Sequence, residues 1–167
     1  MNKTYTIKEF VSVDTLEHVG EKVIDWCMNK FGLSKYYEHY PYIEIDMDEI
    51  DLMGEFVGDN NEIIIYPNAM ENIDDFVSTL IHEYTHYLQR PSWYTRYLNN
   101  LTLNEAIKNK HPYEIEADEV AINNWKQCNK EVLRKLAETY ELSETEVASL
   151  LKQENVSGGN YRKFLEN

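Results

Sequence analysis

Apolar residues recur at helical spacing over much of the chain. Between Asn72 and Gln89 they follow one another at three- and four-residue steps, which predicts an amphipathic helix. A second helix is predicted over Thr15 to Phe31, with Gly32 as its stop. The residues of the stripe between Asn72 and Gln89 are Ile73, Phe76, Val77, Leu80, Ile81, Tyr84 and Leu88.

Three short segments have strand character. Residues 42–46 alternate between apolar and acidic side chains, which is typical of a strand with one buried face. Residues 55–57 and 62–66 flank the polar stretch Gly-Asp-Asn-Asn, so they predict a hairpin. The expected fold class is therefore α+β, mainly helical, with a small sheet beside the helix of residues 72–89.

Proline and serine residues mark the later helices. Pro91 ends the helix of residues 72–89, and Ser92 is a candidate N-cap for a helix from Trp93 to about Leu98. Pro112 suits the first position of a helix reaching about Cys128.

Two further helices are expected at 130–140 and 143–153, the second opened by a capping box between Ser143 and Glu146. We expect one domain over residues 1–154 and a tail over 155–167.

Residues 82–86 read His-Glu-Tyr-Thr-His, the pattern H-E-x-x-H. On a helix, His82 and His86 project from one face about one turn apart. They fall opposite the apolar stripe, so they face either solvent or a cleft. Two such imidazoles can bind one zinc ion, and Glu83 between them can activate a zinc-bound water.

A catalytic zinc site takes a third protein ligand. In a helix that begins at Pro112, Glu114 and Asp118 share one face, whereas Glu116 points roughly the other way. We expect Glu114 to be the third ligand, with Glu116 as the competing choice. Asp118 would accept a hydrogen bond from a ligand histidine and so fix its tautomer. The alternative is that these acidic residues bind no metal and only complement the dipole at the N-terminus of the helix.

Composition excludes some classes of function. The 167 residues are 43% hydrophobic and carry a net charge of −14, which suits a folded domain and makes nucleic-acid binding unlikely. No apolar run is long enough to cross a membrane, and the N-terminus lacks the apolar core of a signal peptide, so we expect a cytoplasmic protein. Cys27 and Cys128 are expected to be buried thiols.

Residues 82–86 and the later Glu-Ile-Glu-Ala-Asp-Glu-Val-Ala of residues 114–121 resemble the motifs of the ImmA/IrrE-type metallopeptidases, small zincins of the gluzincin kind. The resemblance runs from about Met53 to Leu151, and residues 130–153 are similar to that family's helix-turn-helix-like segment. The alternative for residues 130–153 is two amphipathic helices that simply pack on the core. The resemblance implies a zincin-like fold, zinc held by His82, His86 and Glu114, Glu83 as general base, and a protein or peptide substrate inside the cell.

The leading expectation is thus zinc-dependent peptide hydrolysis. Two alternatives come from other classes: a noncatalytic zincin-fold module that binds a basic partner, and an acidic DNA mimic. Candidate donors to the reaction's oxyanion lie between the two motifs, and the sequence selects none of them; oligomeric state is equally open. These donors are Tyr94, Tyr97, His111 and Tyr113.

Overall fold

The structure is a computed structural model, and it describes residues 11–48, 50–93, 111–139, 141–143, 145, 146 and 150. The fold is α+β, as expected, with three long helices and a small three-stranded mixed sheet in the described residues. The elements are α1 (Val13–Phe31), β1 (Tyr42–Ile45), β2 (Gly54–Val57), β3 (Glu62–Ile65), α2 (Ile73–Leu88) and α3 (Pro112–Glu138).

Helix α1 covers the segment predicted to be helical and begins two residues earlier. Ser12 is its N-cap, because the serine hydroxyl accepts a hydrogen bond from the backbone N–H of Thr15. The helix ends at Gly32, whose φ of +83° is a conformation that side-chain-bearing residues rarely adopt. Its buried face includes Leu16, Val19 and Val23, which pack into the core.

The sheet has the strand order β1-β3-β2. Strands β2 and β3 are antiparallel and joined by a turn at Gly58–Asn60, so the predicted hairpin is confirmed. Strand β1 pairs with β3 in parallel, with Ile43 opposite Ile63. The pattern of residues 42–46 predicted a strand there and said nothing of its partner.

Helix α2 lies at the centre of the molecule and contacts α1, β2, β3 and α3. Asn72 caps its N-terminus by accepting a hydrogen bond from the N–H of Asp75. Residues on nearly every side of the helix are buried, because helices and sheet surround it. The sequence predicted one buried stripe, whereas the opposite face is largely covered too.

Strand β2 approaches α2 very closely at Gly54. A side-chain carbon placed on Gly54 would lie 2.7 Å from Cγ2 of Thr79 in α2 and 3.1 Å from the carbonyl oxygen of Ile64. Glycine therefore lets the hairpin pack directly against the helix that carries the H-E-x-x-H residues.

Helix α3 is one continuous helix of 27 residues. The prediction that it ends near Cys128 and that a separate helix begins at Lys130 was wrong. No glycine or proline interrupts this stretch, and Cys128 and Asn129 are both buried against the core within the helix. The amide of Asn129 donates to the carboxylate of Asp74 at 3.1 Å, which ties α3 to the first turn of α2.

Ser92 and Trp93 are both helical, so Ser92 is part of its helix rather than the N-cap that the sequence indicated. The rest of that predicted helix, from Tyr94 to Leu98, lies outside the described residues. The tail of residues 155–167 also lies outside them.

The segment after α3 packs on the same core as the three helices. Leu142 and Leu150 belong to one apolar cluster with Val132, Leu133 and Leu136 of α3. The predicted capping box is present, since Ser143 and Glu146 each accept a hydrogen bond from the other's backbone N–H. None of the described helices is long and apolar enough to span a membrane.

Candidate metal centre

The candidate metal centre lies between α2 and the first turns of α3. His82 and His86 project from α2 toward α3, so the face opposite the apolar stripe meets a cleft rather than open solvent. His86 is buried and His82 is partly buried. The helix phase read from the sequence therefore placed both histidines correctly, on the side of the helix away from the apolar stripe.

Three ligand-type atoms converge in this cleft. Nε2 of His82 lies 3.0 Å from Oε2 of Glu114, and Nε2 of His86 lies 3.3 Å from the other oxygen of the same carboxylate. The two Nε2 atoms are themselves 3.0 Å apart. One ligand atom from each of the three residues lies within 4.8 Å of the others, so the group could hold a metal ion.

The other nitrogen of each imidazole has its own acceptor. Nδ1 of His82 lies 3.0 Å from a carboxylate oxygen of Asp118. Nδ1 of His86 lies 2.7 Å from Oε1 of Gln89. An acceptor at Nδ1 keeps the proton of a neutral imidazole on that nitrogen and leaves Nε2 with a free lone pair.

The orientation of Gln89 is fixed by α3. Its Nε2 donates to the backbone carbonyl of Tyr113 at 2.9 Å and to the carboxylate of Glu116 at 3.1 Å. Both partners are acceptors, so the amide nitrogen must face them and the amide oxygen must face His86. An amide oxygen cannot donate, and Nδ1 of His86 must therefore carry the proton.

The convergence is suited to a cation at its centre. With both Nδ1 atoms protonated, two neutral imidazoles point Nε2 lone pairs at each other and at the Glu114 carboxylate. Such lone pairs repel unless a proton or a metal ion lies among them. A tetrahedral zinc ion with bonds of about 2.0–2.1 Å holds its ligand atoms about 3.3–3.4 Å apart. The spacings found here, 3.0 to 3.3 Å, are close to that value.

The charges in the cluster raise the pKa of His82 and lower that of Glu114. Burial alone lowers the pKa of His82, but the hydrogen bond to Glu114 and the charges of Glu83, Glu114 and Asp118 outweigh it, so the net shift is upward. Hydrogen bonds to His82 and His86 hold the pKa of Glu114 well below its usual range. The site therefore favours a carboxylate anion facing positive charge.

Glu83 lies next to the cluster and is not part of it. The side chain is buried, and its carboxylate oxygen is 4.0 Å from Nε2 of His82. Burial raises the pKa of Glu83, which the neighbouring imidazoles and a hydrogen bond with the backbone of Phe56 only partly offset. A carboxylate held beside a metal-type cluster without ligating it suits a general base.

Glu116, His111 and Tyr113 lie near the cluster but are not among its three ligand residues. Glu116 bonds to Gln89 rather than to either imidazole, so the cluster contains Glu114 and not its competitor. His111 caps α3 by accepting from the N–H of Tyr113, whose ring stacks on His86 at 4.0 Å between centroids. Tyr94 and Tyr97 lie outside the described residues.

Both cysteines are free, buried thiols, as the sequence indicated. Burial raises the pKa of each thiol well above its usual range. A metal-binding or nucleophilic cysteine needs a lowered pKa, so the two thiols belong to the core.

Sequence reasoning missed Gln89. It lies three residues after His86, and on a helix that spacing brings its side chain back to the imidazole. The hydrogen bonds to α3 depend on how the end of α2 meets the start of α3, which spacing alone does not determine. An amide residue three positions after the second histidine was the one signal available.

One side of the cluster opens into a cavity of about 510 Å³. His82, Glu83 and Asp118 form its polar wall. A molecule in the cavity would thus contact both a candidate ligand and the candidate base.

No family model, curated protein or solved structure matches this chain. The residues of the cleft between α2 and α3 therefore provide the basis for inferring what the protein does.

Proposed function

We propose that the protein is a zinc-dependent metallopeptidase with a zincin-like fold, in which His82, His86 and Glu114 bind zinc and Glu83 is the general base. The observation that carries the proposal is the convergence of two Nε2 lone pairs and one carboxylate, with each Nδ1 occupied by an acceptor. The resemblance of residues 82–86 and 114–121 to the ImmA/IrrE-type peptidases supports the same assignment.

Zinc suits the donor set better than the harder cations. Calcium and magnesium prefer sites made of oxygen ligands, whereas two imidazoles and one carboxylate are a common ligand set of catalytic zinc. When bound, zinc lowers the pKa of a coordinated water toward about 7 and polarises a carbonyl oxygen. His82, His86 and Glu114 would hold the zinc and leave one ligand position open for a water.

Glu83 then performs the proton transfers. Its carboxylate accepts the proton of the attacking water and delivers it to the nitrogen of the leaving amine. Asp118 and Gln89 keep the two imidazoles in the tautomer that presents Nε2. The cavity beside His82 and Glu83 gives a peptide access to this arrangement.

Zinc binding and hydrolysis are tested separately. Zinc content is measured for the wild type, His82→Ala and Glu114→Ala, with Glu119→Ala as a control that removes an exposed acid from the same helix. We expect one zinc per chain in the wild type and the control, and loss of zinc in the other two. Peptide hydrolysis by the wild type should fall at least about 100-fold in Glu83→Gln, since general-base catalysis contributes about 10²–10⁴-fold.

Two results would contradict the proposal in different ways. Stoichiometric zinc in His82→Ala would show that the metal is bound elsewhere. Zinc in the wild type without hydrolysis of peptides or denatured proteins would favour the noncatalytic binding module instead.

A further inference from the structure

The cavity beside the candidate metal centre has a second wall that is apolar. It is formed by the loop before β2 and by the middle of α3, next to the polar lining residues His82, Glu83 and Asp118. The two segments are far apart in sequence, and both line this cavity. The apolar lining residues are Leu52, Met53, Ala121, Ile122 and Trp125.

Several of these side chains are unusually exposed for their type. Ile122 is 70% exposed, Leu52 46% and Met53 40%. Exposed apolar residues that cluster around a cavity indicate a surface that contacts a ligand. The wall is also held in place, because Thr79 of α2 contacts the sulfur of Met53 at 3.8 Å and the hairpin packs closely at Gly54.

We propose that this wall binds a large uncharged apolar side chain of the substrate, such as leucine, methionine or phenylalanine, on a residue next to the bond that is cleaved. The inference rests on the proposed function and adds the class of substrate. A peptide carbonyl beside Glu83 and His82 would place a neighbouring side chain in this cavity, because those two residues line it.

Apolar side chains outnumber the carboxylates that line the cavity. Its three lining carboxylates are Asp51, Glu83 and Asp118, of which Glu83 is buried and Asp118 lies 3.0 Å from Nδ1 of His82. The five apolar residues favour an apolar side chain, and a lysine peptide tests whether the three carboxylates attract a cation instead. Burying the extra methylene groups of leucine relative to alanine in such a pocket corresponds to about 10-fold tighter binding or more.

Binding is measured first, with zinc-loaded Glu83→Gln so that no peptide is cleaved. Dye-labelled hexapeptides that differ only at one central residue, carrying leucine, phenylalanine, alanine, lysine or aspartate, are compared by fluorescence polarisation. We expect leucine and phenylalanine peptides to bind about 10-fold tighter than the alanine peptide. Adding Ile122→Asn should reduce that preference to within about threefold, whereas Leu33→Asn, which changes an exposed leucine outside the cavity, should leave it unchanged.

Equal binding of leucine and alanine peptides, or preference for lysine that Asp51→Asn abolishes, would overturn the inference. Digestion of a mixed peptide library by the wild type then tests the function separately. Cleavage without apolar residues beside the cut would contradict the inference alone, whereas the absence of any cleavage would contradict the proposed function while the binding result stands.

Discussion

The two halves of α3 have different surroundings: the first half contacts the imidazoles of α2, and the second half lies in the core. In the first half, Glu114 and Asp118 are only about two-thirds covered, and their carboxylates meet the imidazoles of α2. In the second half, Cys128, Leu133 and Leu136 are fully buried in the core. The first half of α3 is thus positioned for polar contacts with α2, and the second half is positioned for apolar packing.

Because the two halves differ in this way, metal binding and the free energy of unfolding should depend on different halves of the same helix. Contact with α2 runs along α3, from the ligand cluster at Glu114 to the bond between Asn129 and Asp74. The two helices are therefore antiparallel, and the apolar half holds the acidic half at the correct distance from His82 and His86. Changes in the core half should unfold the protein, and changes in the acidic half should weaken metal binding.

The largest effect is expected from Leu133→Ala in the core half. Leu133 is fully buried, and its truncation removes apolar burial and leaves a cavity, so the free energy of unfolding should fall by about 2–5 kcal/mol. Chemical denaturation measures the change. Leu33→Ala, at an exposed leucine, should cost less than about 0.5 kcal/mol. A similar loss for both variants would remove the distinction between buried core and surface.

Removal of zinc should come next. At free zinc about 100-fold above its dissociation constant, binding to the native state alone raises the free energy of unfolding by about 2.7 kcal/mol. Denaturation with and without chelator should show that difference in the wild type, and none in Glu114→Ala. If Glu114→Ala is stabilised by zinc as strongly as the wild type, the acidic half of α3 does not take part in the site.

Asp118→Ala should weaken zinc binding without unfolding the protein. Loss of the acceptor at Nδ1 of His82 is expected to reduce zinc affinity by about 10–100-fold, or about 1.4–2.7 kcal/mol. Competition with a chromophoric chelator measures the affinity. Asp118→Asn retains an oxygen acceptor and should recover part of the loss; an Asn variant as weak as the Ala variant would mean that the charge alone matters.

Gln89→Leu should reduce zinc affinity by about 10-fold, at the lower end of that range, because the lost acceptor of His86 is neutral. Gln127→Leu is the matched control, since Gln127 is exposed on α3 and bonds to Glu131. Unchanged affinity in Gln89→Leu would show that His86 keeps its tautomer without the amide.

The smallest effect is expected at the capping box of Ser143 and Glu146, which follows the core half of α3. Ser143→Ala removes the hydroxyl of the capping box and should lower the free energy of unfolding by about 1 kcal/mol. Ser143→Thr preserves a hydroxyl and should restore most of it. Zinc affinity should be the same in both variants, since the cap is remote from the ligand cluster in sequence and bonds instead to Thr15 of α1 through Glu146.

Much of the site could be read from local spacing. The period of an α-helix places His82 and His86 on one face, and the same period favours Glu114 with Asp118 over Glu116. Gln89 could not be assigned in this way, because its role comes from acceptors on α3. The break predicted near Cys128 was wrong, because no glycine or proline interrupts this stretch and Cys128 and Asn129 are buried within a continuous helix.

The sequence by itself determined the elements and the local chemistry: the helix phase of residues 82–86, the hairpin, the capping box at Ser143 and the acidic pair of residues 114 and 118. These follow from interactions between residues a few positions apart. Tertiary structure alone decided the parallel pairing of β1 with β3, the meeting of the two helices at Glu114 and the orientation of Gln89. Those features join segments twenty or more residues apart, and only the packing of the whole core sets such distances.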